Sequence, residues 1–134
     1  AVIGPEEKEV EFCEITEGFT QMSGIYNSNY KNSMDRIQKK SNSKINIIKT
    51  TSTPFKKIIS SDKIIDLISI DIEGNELDVI NSIDFNKYEI KVILLENNIP
   101  EKLNYIDFFK KRNFSYFDRV GMDEIYFNKK YFNF

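Results

Sequence analysis

Ile64-Ile65-Asp66-Leu67-Ile68-Ser69-Ile70-Asp71-Ile72 is almost unbroken apolar sequence, and it stops at Glu73-Gly74-Asn75. A short apolar run closed by turn residues predicts a central parallel strand covered on both faces. Leu77, Ile80 and Ile83 then recur at helical spacing behind first-turn carboxylates, which predicts a helix over 76–83. Ile90 to Leu95 repeats the strand pattern and closes on Glu96-Asn97-Asn98. Strand, helix, strand in that order describes a parallel unit with a helical crossover.

Working outward, Pro100 opens a second helix through about Arg112, with Leu103, Ile106 and Phe109 turned inward. Phe114 to Arg119 and Glu124 to Asn128 read as strands joined around Val120-Gly121-Met122-Asp123, short enough for an antiparallel hairpin. Upstream, the alternation from Val10 to Ile15 predicts a half-buried strand after a turn at Gly4-Pro5-Glu6-Glu7. The stretch 16–32 has no period and reads as a long loop, a common place for function. A short helix over Ser33–Lys39, a polar connection to Lys44 and a strand over Ile45–Thr50 follow. Thr53 and Pro54 then suit the N-cap and first position of a helix through Ile59. The expected fold class is α/β: one domain with a mostly parallel open sheet and an antiparallel C-terminal strand pair.

Composition narrows the chemistry. The chain has 134 residues, and with 40% apolar residues it can fill a core, so wholesale disorder is not expected. Nineteen basic against 21 acidic side chains leave no basic excess for binding nucleic acid. No apolar run is long enough to cross a bilayer and no signal-peptide pattern opens the chain, so the cytoplasm is the expected compartment. A single cysteine, Cys13, excludes an internal disulfide and a cysteine zinc site. There is no histidine, which removes the commonest general base near neutral pH and every Ser-His-Asp arrangement. Chemistry must therefore run on carboxylates, Lys, Tyr or a bound cofactor.

Open α/β sheets bind ligands beyond the carboxyl ends of their strands. Asp71 with Glu73, and Glu96 with Asn97, stand at two such ends. If the two strands are neighbours, about 4.8 Å apart, the carboxylates converge within roughly 10 Å on one rim. The plainer alternative is that strands simply end in polar residues. Gly74 has its own structural reading, as a helix-entry turn needing an unusual backbone angle.

The stretch from Ile65 to Ile80, with its Asp71-Ile72-Glu73-Gly74-Asn75-Glu76 core, resembles the signature of FkbM-family methyltransferases. Ile90 to Asn97 is similar to the family's next strand with its terminal Glu, and Gly121 to Phe127 to its final hairpin. Val10–Ile15, the Met22-Ser23-Gly24 loop and Ile45–Thr50 match its middle section less specifically. No Gly-x-Gly pattern occurs among the five glycines, so the family's glycine-rich cofactor loop has no counterpart. The resemblance thus implies the C-terminal part of a Rossmann-like, class I methyltransferase domain.

It further implies an S-adenosylmethionine-dependent O-methyltransferase acting on a hydroxyl of a small molecule or glycan. Asp71 would orient or deprotonate the acceptor and lie beneath the methyl group, Glu73 would hold the cofactor's ammonium or an acceptor hydroxyl, and Glu96 and Asn97 would close the other wall. Asp71, Glu96 and Asn97 also form an all-oxygen set suited to Mg²⁺. Ser23 and Tyr26, in the 18–30 loop with Tyr30, are candidate acceptor contacts. Two other classes fit the acidic rim: a non-catalytic interaction domain and a metal-dependent nucleotide-sugar glycosyltransferase. The apolar tail, Tyr131, Phe132 and Phe134, suggests packing on a further segment or self-association.

Overall fold

The computed structural model describes residues 2–27, 30–31, 43–59 and 64–132. They fall into two compact units, Ala1–Ile59 with Ile72–Ser82, and Ser60–Asp71 with Ile83–Phe134. The helix expected over Ser33–Lys39 lies outside the described residues, as do Phe134 and most of the polar connection.

In the first unit, β1 (Val2–Gly4), β2 (Glu9–Glu17), β3 (Gly24–Ile25) and β4 (Lys44–Pro54) form a sheet in the order β1-β4-β2-β3. Only β1 and β4 are parallel in it. β2 buries Cys13 and Ile15 and half-buries Val10 and Phe12, because the alternation changes phase at Phe12-Cys13. Cys13 and Ile15 pack with Tyr30, and Met22, Tyr26 and Ile45 close around them. A Cβ on Gly24 would stand 2.9 Å from the Tyr30 ring, so only glycine lets β3 approach it. Thr53 is not an N-cap. It and Pro54 pair with Ile3 and Gly4 at the end of β4, and the ladder holds them extended ahead of the single turn α1 (Phe55–Ile58).

The same unit carries α2 (Glu76–Ser82). Its buried face is Glu76, Val79 and Ile80, with Leu77 left 41% exposed. Ile80 and Ile83 are thus buried as expected, and only Leu77 departs, its place taken by Val79 and by Glu76, whose carboxylate accepts from backbone amides.

In the second unit, β5 (Ile64–Ile70), β6 (Glu89–Glu96), β7 (Phe114–Val120) and β8 (Asp123–Asn128) follow the order β5-β6-β8-β7. β5 and β6 are parallel neighbours, and β6–β8 and β8–β7 are antiparallel. The α/β class holds, but among the described residues two of the six strand pairings are parallel, not most of them. The cause is topological: the upstream strands meet one another through antiparallel β2–β4 instead of joining the β5–β6 sheet. β5 is correspondingly an edge strand, with Ile64 and Leu67 about half exposed, and not the covered central strand its apolar sequence predicts. An apolar run reports affinity for a sheet without reporting position within it.

α3 covers only Tyr105–Lys110, shorter than the helix expected from Pro100. Pro100–Lys102 form a turn, and the Asn104 side chain starts the helix by accepting from the Ile106 amide at 3.0 Å. Phe109, fully buried, sets its ring 4.2 Å from Tyr126, 5.8 Å from Phe114 and 6.2 Å from Phe85. The β7–β8 hairpin turns at Gly121-Met122 as expected, with Gly121 at φ 65. In the tail, Phe132 packs on Phe127 and the Tyr131 hydroxyl donates to Glu89, so both lie against their own unit. Phe109→Ala should destabilise this unit by about 3–5 kcal/mol, read from urea unfolding followed by tyrosine fluorescence.

Candidate functional site

Asp71 and Glu96 are the first residues beyond the last paired rung of β5 and β6, where Ile70 faces Leu95. Parallel pairing puts both carboxylates at the same end, and their oxygens lie within 4.8 Å of one another. Asp71 is exposed and Glu96 half-buried. Like charges this close repel, so the pair persists only where ladder hydrogen bonds fix both backbones. A carboxyl pair so placed can accept hydrogen bonds from one ligand's hydroxyls.

The loop leaving β5 has a strained backbone. Glu73 has φ 55 and Gly74 φ 98, two successive left-handed residues. For Gly74 this is what glycine is for; for Glu73 it costs about 1–2 kcal/mol. Nothing lies within 4 Å of a Cβ built on Gly74, so conformation alone demands the glycine there. Glu76 holds the loop in this shape: its Oε1 accepts from the Ile72 amide at 3.2 Å and the Gly74 amide at 2.9 Å. Glu76 thus acts on the loop and helix entry, in keeping with its place in the first helical turn. Asn75 is buried, and its side chain accepts from Asn27 Nδ2 at 2.6 Å.

Asn97, one residue past Glu96, faces the interior instead of the rim. It is 1% exposed, and its Nδ2 donates to Leu103 O and to Glu124 Oε1, both at 2.9 Å. Its Oδ1 accepts from the Ile99 amide at 3.3 Å. Glu124 in turn accepts from the Tyr126 hydroxyl and pairs with Arg119 Nη1 at 3.5 Å. Burial first, then the adjoining Glu124 carboxylate, push the Tyr126 hydroxyl far above its ordinary range, so it stays a donor. Nothing in the local sequence marks Glu124 or Arg119 as buried partners. An acid at the start of an exposed hairpin strand looks solvated, and only the fold buries it.

Ser23 and Tyr26 lie in the first unit. The Ser23 hydroxyl donates to Thr20 O at 2.7 Å and accepts from the Ile15 amide at 3.0 Å, so its hydrogen is committed to the loop. Tyr26 is half-buried, edge-on to Tyr30 at 6.5 Å between centroids. Tyr30 is core, not lid: it is fully buried, its hydroxyl donates to Met22 O, and burial raises it far above the usual phenol range. Burial likewise raises the Cys13 thiol, partly offset by its hydrogen bond with Tyr30, which leaves it a poor nucleophile.

Asp71 and Glu96 thus stand beyond the carboxyl ends of two adjacent parallel strands, the place where open α/β sheets commonly bind ligands. Residues 3–116 match the family described as "Methyltransferase FkbM domain", and the chain belongs to that family. No curated protein and no solved structure matches it. Among the described residues no helix is long and apolar enough to cross a membrane.

Glu73→Gly should raise stability by about 1 kcal/mol by relieving the left-handed backbone, and Gly74→Ala should lower it by about 1–2 kcal/mol. Paired urea titrations measure both.

Proposed function

We propose that the rim at Asp71 and Glu96 carries S-adenosylmethionine-dependent methyl transfer to a hydroxyl of a small molecule or glycan. The observation that carries this reading is the parallel β5–β6 register, which brings the two carboxylates within 4.8 Å in a chain of the FkbM methyltransferase family. In such a transfer the acceptor oxygen bonds to the methyl carbon as the carbon–sulfur bond breaks, and the hydroxyl proton must leave. Asp71, the more exposed of the pair, accepts the hydrogen bond of the reacting hydroxyl and takes that proton, and Glu96 holds the acceptor in line by accepting from a neighbouring hydroxyl. The absence of histidine leaves carboxylates as the natural proton acceptors here. Mg²⁺ is not needed by this scheme, although the oxygen donors of Asp71 and Glu96 are of the type it takes.

Family membership favours methyl transfer over a glycosyltransferase or a scaffold, neither of which has an observation in its favour. The test is calorimetric titration with S-adenosylhomocysteine, with and without Mg²⁺, on this chain and on any longer natural form that contains it. Binding is expected, and Asp71→Asn should lower methyl transfer to a sugar hydroxyl by about 10²–10⁴-fold. Folded protein that binds no S-adenosylhomocysteine in any of these forms would overturn the reading.

A further inference from the structure

We infer that Glu124 is a positioning residue whose buried carboxylate, through Asn97 and Arg119, fixes the end of β6 and so holds the Glu96 carboxylate beside Asp71; this rests on the methyl-transfer reading of that rim. Glu124 is 6% exposed, a costly place for a carboxylate unless donors surround it. Three do: Asn97 Nδ2 at 2.9 Å, Arg119 Nη1 at 3.5 Å and the Tyr126 hydroxyl.

What these donors hold is the residue directly after Glu96. The Asn97 amide donates to Met122 O at 2.9 Å, beyond the last β6–β8 rung, where Glu96 faces Asp123. Arg119 Nη2 donates to Asn97 O at 2.8 Å, and Arg119 Nε to Gly121 O at 3.0 Å. The second Asn97 side-chain hydrogen goes to Leu103 O, tying in the segment that leads to α3. The backbone at 97 is thus clamped on its donor side by the Met122 carbonyl and on its acceptor side by Arg119, which pairs with Glu124. A strand end clamped in this way cannot fray, and fraying there would swing Glu96 away from Asp71. Simple stabilisation of a hairpin does not require a buried carboxylate, since apolar side chains of similar volume commonly do as well.

The test replaces Glu124 by Gln, which keeps the shape but removes the charge and one acceptor for Tyr126. Tyr126→Phe serves as a milder companion that removes a single donor. Thermal melting establishes that each variant is folded. In the wild type the Asn97 side-chain amide protons should exchange slowly and the Glu96 carboxyl carbon should give one sharp NMR signal. In E124Q, and to a lesser degree in Y126F, amide exchange should quicken and the Glu96 signal should broaden or shift. Methyl transfer to p-nitrophenyl glycosides should fall about tenfold in kcat with KM for S-adenosylmethionine changed less than twofold. In a Glu96→Gln background, E124Q should cost almost nothing further, because its effect acts through Glu96. An equal loss in both backgrounds, or unchanged Asn97 and Glu96 signals in both variants, would overturn the proposal. Should no glycoside be methylated, the methyl-transfer reading is what suffers, and the NMR signals still decide the role of Glu124.

Discussion

The parallel ladder between β5 and β6 is the constraint on which the rest depends. Its register, ending with Ile70 opposite Leu95, makes Asp71 and Glu96 emerge side by side. A slip of one residue would turn every β6 side chain to the other face and remove one carboxylate from the rim. Two mutually repelling carboxylates do nothing to secure that register themselves. The buried side chains of Ile70, Ile90, Ile93 and Leu95 secure it by removing apolar surface from water.

Each strand end is then restrained by a different buried acid. After β5, Glu76 collects the amides of Ile72 and Gly74 and holds a left-handed turn that would otherwise relax. After β6, Glu124 collects Asn97, Arg119 and Tyr126. Both acids are 6% exposed and surrounded by donors. Asp71 and Glu96 are thus each followed in the chain by backbone that a nearly buried acid holds. Under the proposed function, such a division between reacting and supporting groups is what preorganisation requires.

The aromatic cluster around Phe109 supports this from beneath. Tyr126 belongs to both systems, its ring 4.2 Å from that of Phe109 and its hydroxyl on Glu124. Core packing in the second unit is thus coupled to the geometry at the end of β6. Edge-to-face ring pairs have preferred distances and angles, so they fix orientation as well as exclude water.

Local sequence determined the parts with a short-range cause. The apolar runs made β5 and β6, the glycine turn after Asp71 made the left-handed entry to α2, and Gly121 made the final hairpin. The paired strand-end acids were legible for the same reason, since a strand must end where its apolar run ends. Tertiary structure decided what depends on partners distant in sequence. It placed β5 at an edge, sent the upstream strands into a separate, largely antiparallel sheet, turned Asn97 inward and Tyr30 into a core, and buried Glu124. Strand pairing and burial are set by which surfaces meet, and a carboxylate carries no local mark of whether water or an arginine will surround it.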